Sequence, residues 1–187
     1  EVHRLEENLK MLAGGNLDFD MNVAAADEYT VEVNKQFKAI GESLADVKKA
    51  VGTLIDDAAG MTAAAVGGNL KNRADVTKHG GEFAKIMEGF NKTLDAVIAP
   101  IEEASNVLNE MARGNLQINM AGNYRGDHAV IKNALNETIG NIQSYVSEIS
   151  SVLSEIGNGN LDLAITADYK GDFVEIKDSL NNIIQSL

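Results

Sequence analysis

Three histidines, His3, His79 and His128, stand singly in a chain of 187 residues that contains no cysteine. Without thiols there is no cysteine nucleophile, no thiolate zinc site and no disulfide scaffold. Asp18-x-Asp20-x-Asn22 opens like a calcium loop, but its sixth position is Val23 instead of glycine and its twelfth is Tyr29 instead of glutamate, which removes the sharp turn and the bidentate ligand such a loop needs. The Gly67-Gly68 pair is followed by Asn-Leu and not by Gly-Lys-Ser/Thr, so it is not a phosphate loop. Helical-bundle active sites display inward carboxylate and histidine sets such as Glu-x-x-His, and that spacing is missing. The expectation is a non-enzymatic chain with no cofactor and no metal.

The balance of 28 acidic against 16 basic residues gives a formal net charge of -12. With no basic cluster to neutralise phosphates, nucleic acid and anionic membrane surfaces are poor partners. Hydrophobic residues make up 44% of the chain and aromatics 5%, with one proline and no tryptophan; that is the composition of long helices. No stretch reaches the roughly 18 apolar residues of a membrane helix, and the start, EVHRLEEN, lacks signal-peptide character. The sequence therefore reads as soluble. It opens in what looks like mid-helix and stops on an apolar helical position, as a piece of a longer protein would.

A repeat organises the chain. Gly-Asn-Leu occurs at Gly15, Gly68, Gly114 and Gly159. Downstream lie Gly81-Glu82-Phe83, Gly126-Asp127-His128 and Gly171-Asp172-Phe173, with Asp27-Glu28-Tyr29 as a degenerate first copy. Then come Phe90-Asn91, Leu135-Asn136 and Leu180-Asn181, where the first copy has Phe37-Lys38. Such self-similarity means four copies of one unit, bounded here at 1–50, 51–97, 98–143 and 144–187.

Between the copies the apolar residues keep a heptad rhythm, as in Leu135, Ile139, Ile142, Val146, Ile149, Leu153 and Ile156. The earlier seam Phe37, Ile40, Leu44, Val47, Val51, Leu54 must slip near Ile55, and the DDAAGMTAAAVGG stretch after it predicts the thinnest core of the array. Each unit is a helix ending at Gly-Asn-Leu, a connector of about 12 residues, and a second helix that runs on into the next unit. A connector of that length returns along a helix of about 21 Å, whereas a hairpin needs only about 2–5 residues, so the two helices should run parallel. Two parallel helices cannot close a core alone; a symmetric second copy supplies the rest.

Within the connectors, Gly15, Gly68, Gly114 and Gly159 fit the left-handed residue that ends a helix. The apolar pairs that follow, Leu17 and Met21, Leu70 and Ala74, Leu116 and Met120, Leu161 and Ile165, read as pegs in the groove between the helices. Glu82, Asp127 and Asp172 open the second helices as caps or dipole partners, and Asp172 with Glu175 fits a capping box. Phe83, Phe90 and Phe173 fall at core positions, and His128 reads as a partly buried, satisfied histidine, with a pH sensor as the alternative.

This pattern resembles the HAMP signalling domain: Pro100-Ile101-Glu102-Glu103 through Gly114-Asn115-Leu116, Met120, Gly126-Asp127 and Leu135-Asn136 carry it best. The resemblance implies an all-α fold of tandem parallel four-helix bundles, each formed by a homodimer, with coiled-coil-like continuous helices between units. It implies a relay, in the cytoplasmic portion of an inner-membrane receptor, between a sensor or transmembrane region and an output module of the same chain. The output belongs to a chemotaxis transducer or to a sensor histidine kinase; a monomeric helical scaffold for another protein is the reading from a different class. Membrane contact would come only through segments outside this sequence. The family's packing motif falls on Leu17, Met21, Leu70, Ala74, Leu116, Met120, Leu161 and Ile165.

Overall fold

The computed structural model describes residues 1–186. It is all-α, with no strand among the described residues: α1 is Val2–Ala13, α2 Val31–Val66, α3 Gly81–Ala112, α4 Asp127–Gly157 and α5 Phe173–Ser186, with one 3-10 turn at Val76–Lys78. No helix is long and apolar enough to cross a membrane among these residues. Helix α2 runs 36 residues without a break, so the slip expected near Ile55 does not interrupt it. Just before that point the burial loses its helical rhythm, since Ala50, Val51, Gly52, Thr53 and Leu54 are all half-buried.

The chain forms two compact units, Glu1–Ala96 and Val97–Leu187, and the boundary falls inside α3. Pro100 lies in that helix and, lacking an N–H, leaves the carbonyl four residues back, that of Ala96, without its helical donor.

In Val97–Leu187 two equivalent cores occur. Val107, Met120 and Ile139 form one, with Ala104, Met111, Ile118, Tyr124 and Leu135 against it. Val152, Ile165 and Ile184 occupy the same repeat positions in the other, joined by Tyr145 and Tyr169 and flanked by Ile149, Ile156, Leu163, Ala167 and Leu180. Residue numbers rise together along both helices of each core, so the paired helices run parallel and the connector returns between them. In Glu1–Ala96 the cores are poorer. Met61 and Asn8 stand at the place of Val107 and Val152, and both are buried. The small residues of α2 leave an open recess of about 170 Å³, lined by Ala58, Met61, Thr62 and Ala65 against Phe90, Thr93 and Leu94.

The heptad seam read as one stripe divides into two. On α4 the covered face carries Ile139, Tyr145, Ile149, Val152 and Ile156, while Val146 and Leu153 stand about half exposed. The exposed stripe recurs at fixed repeat positions. Thirteen residues before each closing glycine lie Val2, Ile55, Ile101 and Val146, and on the second helices Val33, Ile86, Ile131 and Ile176 match one another; all eight are exposed. Phe90 and Phe173, expected in the core, belong to this uncovered class at 45% and 39% exposure, because a single chain covers only one side of each helix.

Candidate functional site

Four chain reversals give the connectors their geometry. Gly15, Gly68, Gly114 and Gly159 have φ between 79° and 86°, a region that side chains disfavour. In each, the glycine N–H reaches the carbonyl three residues back and the next asparagine N–H reaches the one five back, as in Gly159 to Ile156 and Asn160 to Glu155, 2.9 and 3.0 Å. That pair of bonds is a Schellman motif, which closes the orphan carbonyls of the helix end.

Beyond the reversal the chain is extended, so alternate side chains face the helices. In the fourth connector Leu163, Ile165, Ala167 and Tyr169 turn inward, and in the third Ile118, Met120, Gly122 and Tyr124. Ile165 and Met120 are buried at 2% and 1% exposure. Leu17, Met21, Leu70, Ala74 and Leu116 are half-buried. Leu161, at the same position in the fourth connector as Leu17, Leu70 and Leu116, is the more open one at 43% exposure. Phe19 is buried in the first connector with the Lys48 ammonium 5.0 Å from its ring centre.

Polar side chains then fasten the extended backbone. Asn181 on α5 accepts from the Ile165 N–H at 2.8 Å and donates to its carbonyl at 3.2 Å. Asn136 does the same to Met120 at 2.8 and 3.0 Å, and Asn91 to Ala74 at 3.0 Å each way. An asparagine is the residue that can satisfy both backbone groups at once. In the first copy, where Lys38 follows Phe37, Asn8 of α1 reaches the Asp20 carbonyl instead, and Asn34 that of Ala24.

From the preceding helix a carboxylate reaches the same strand. Glu103 Oε1 accepts from the Ala121 and Gly122 N–H groups, 2.7 and 3.1 Å, and Oε2 accepts from the Tyr124 hydroxyl. These bonds, the tyrosine's foremost, hold the Glu103 carboxyl below its usual range, aided by the Lys132 charge, and the same contact with Glu103 pushes the Tyr124 phenol up. Glu148 repeats the backbone contacts at Thr166 and Ala167, 3.0 and 3.2 Å. Lys132 and Lys177 close the set on the Gly122 and Ala167 carbonyls at 2.7 and 2.8 Å. In the second copy the equivalent acid is Asp57, one carbon shorter, and it meets the buried His79 ring at 2.8 Å. In the first, Arg4 takes that place and Glu1 accepts from Ala24.

The openers of the second helices lie at the helix starts, and Asp127 stands one residue inside the cap position. Gly126 is the N-cap of α4 at φ 57°, with no side-chain capping bond, and Asp127 is the first helical residue. Glu82 is in the first turn of α3. Asp172 directly precedes α5, whose first turn holds Glu175. Their carboxylates remain suited to the helix dipole. His128 is half-buried, edge-on to Tyr124 with centroids 6.4 Å apart. Among the described residues no three His, Asp or Glu side chains gather as a metal site would require.

A family model described as the HAMP domain matches residues 78–144 and again 135–187. The chain belongs to the HAMP domain family. The two matches overlap on α4, the helix that ends one HAMP core and begins the next. HAMP domains are non-catalytic signalling modules that relay a change of conformation inside sensor proteins. No curated protein matches the chain.

The asparagine, carboxylate and lysine contacts were not assigned from the sequence. Only the asparagines left a trace, as the invariable second residue of Phe90-Asn91, Leu135-Asn136 and Leu180-Asn181.

Proposed function

We propose that this chain is an array of four HAMP units, divided at 1–50, 51–97, 98–143 and 144–187, working as a parallel homodimer. In this reading it passes a conformational change from a sensor or membrane region to the output module of a chemotaxis transducer. The observation that carries it is the recurrence of exposed apolar residues at matching positions in every copy: Val2, Ile55, Ile101 and Val146, and Val33, Ile86, Ile131 and Ile176. Isolated exposed apolar residues need no explanation, but a stripe repeated at one helical phase marks a partner surface. A second copy supplies the same stripe in the same register, which a different protein would have to evolve four times over.

The chain has no native cysteine, so single-cysteine variants test this directly. In a parallel dimer Leu153→Cys should form an oxidative cross-link to itself, while a cysteine at the covered Asn181 should not. Light scattering at micromolar concentration should give twice the chain mass. A monomer in scattering with no cross-link at Leu153→Cys would refute the dimer and favour a scaffold for another protein. An output module of histidine-kinase type beyond residue 187 would replace the chemotaxis assignment while leaving the relay intact.

A further inference from the structure

The third and fourth connectors carry a tyrosine, a carboxylate and a reversal at identical spacing, yet the tyrosines bond differently. Tyr124 donates to Glu103 Oε2. Tyr169 donates to the Tyr145 carbonyl at 3.2 Å, and Glu148 Oε2 is left buried with no hydrogen-bond partner. A buried, unpartnered carboxylate oxygen calls for a cause.

Eight residues past each closing glycine the third connector has Gly122 and the fourth Ala167. A Cβ at Gly122 would come 2.5 Å from the Tyr124 ring and 2.6 Å from Glu103 Oε2, so a methyl group there would force the ring or the carboxylate to shift. In the fourth connector that methyl is present. The Tyr169 ring lies instead on Tyr145, with centroids 4.2 Å apart and planes at 23°. Tyr145 occupies the position of Pro100 and ties the strand further, through its hydroxyl to the Asp168 carbonyl and from the Lys170 N–H, 3.3 and 3.2 Å. Glu148 stays close: after burial itself, its charge and its side-chain contact with the hydroxyl push the Tyr169 phenol up, although the better-formed bond of that hydroxyl goes to the Tyr145 carbonyl.

We propose that the residue at this connector position selects between two latches. Glycine lets the tyrosine lock onto the carboxylate of the preceding helix; alanine diverts it to a ring stack and a backbone carbonyl. The first latch is charge-assisted and holds the strand to one helix by a side chain. The second leaves a carboxylate oxygen free and relies on aromatic packing. Neighbouring units of one chain thereby differ in how firmly their connectors are fixed, through a single methyl group. This reading concerns the chain's own packing and does not depend on the identity of the output module.

The test is Ala167→Gly in the whole chain, with the ring Cζ of its four tyrosines 13C-labelled and assigned by Tyr→Phe variants. In the wild type, Glu148→Gln should shift the Tyr169 signal less than Glu103→Gln shifts that of Tyr124, since the Tyr169 hydroxyl donates to the Tyr145 carbonyl and the Tyr124 hydroxyl to Glu103. In the Ala167→Gly background the Tyr169 signal should move toward that of Tyr124, and adding Glu148→Gln should reverse the shift. The mirror change, Gly122→Ala, should release Tyr124 from Glu103 and lower the pH at which its phenol titrates. If Gly122→Ala fails to fold, the Ala167→Gly arm stands alone. A Tyr169 signal unmoved by Ala167→Gly, or moved but indifferent to Glu148→Gln, would overturn the proposal.

Discussion

At the scale of single residues, the connectors are held by side chains that satisfy backbone groups. Asn181 serves both the N–H and the carbonyl of Ile165, which is buried. Asn181→Ala strands both groups, at about 1–3 kcal/mol for each one left without a partner; urea unfolding should show a loss of that order and hydrogen exchange a faster Ile165 amide. Glu103 gives a pH signature. Its carboxyl is held low by Tyr124 and by the Ala121 and Gly122 amides, so its contribution is present above the unfolded carboxylate value, about 4.3, and is lost as pH falls through the lower folded value. The gap in urea midpoint between wild type and Glu103→Gln should therefore be full at pH 7 and narrow as pH falls below the unfolded carboxylate value; a gap that stays constant on acidification would mean that the charge is not what stabilises the strand. These contacts were illegible in the sequence, because one asparagine or glutamate on a polar helix face has no signature until the strand beside it is placed. The glycines were legible because the φ of 79° to 86° that they adopt leaves few alternatives to glycine.

At the scale of elements, the order of helix, connector and parallel helix followed from spacing alone, since about 12 residues are too many for a hairpin and enough for a return. The period within the connector did not. A pair of pegs four residues apart, Leu161 and Ile165, samples an extended strand too coarsely: it includes the exposed Leu161 and overlooks Leu163 and Tyr169, which face the core. The heptad seam likewise merged two faces: Val146 and Leu153 were grouped with Ile149 and Ile156, though the first two are exposed. A 3.5-residue period names a stripe wide enough to serve two neighbours and cannot say which neighbour is in the same chain. The two pegs should accordingly respond differently. Ile165→Ala removes a buried side chain and should cost about 2–4 kcal/mol in thermal or urea melts. Leu161→Ala should cost well under half of that in dilute protein. Equal losses would mean that Leu161 is covered in solution.

At the scale of the whole molecule, the helices shared between units turn the phase of one core into a constraint on the next. Helix α4 carries Ile139 of one core and Tyr145 and Val152 of the following one. One residue inserted between Asn141 and Ile142 leaves both cores with their own helices and connectors, but rotates the second by about 100° about the axis of α4. The exposed Val146 and Leu153 then change direction relative to the exposed Ile101 and Leu108, so a second copy that matched both pairs before the insertion no longer can. Seven inserted residues turn the helix through nearly two full turns, within about 20° of the starting phase. The single insertion should preserve helix content and amide protection at Met120 and Ile165 while weakening self-association and disrupting output of the full-length protein. The seven-residue insertion should keep both. Two insertions tolerated alike, in association and in output, would show that the units act as independent domains and that rotation of the helix carries no information between them.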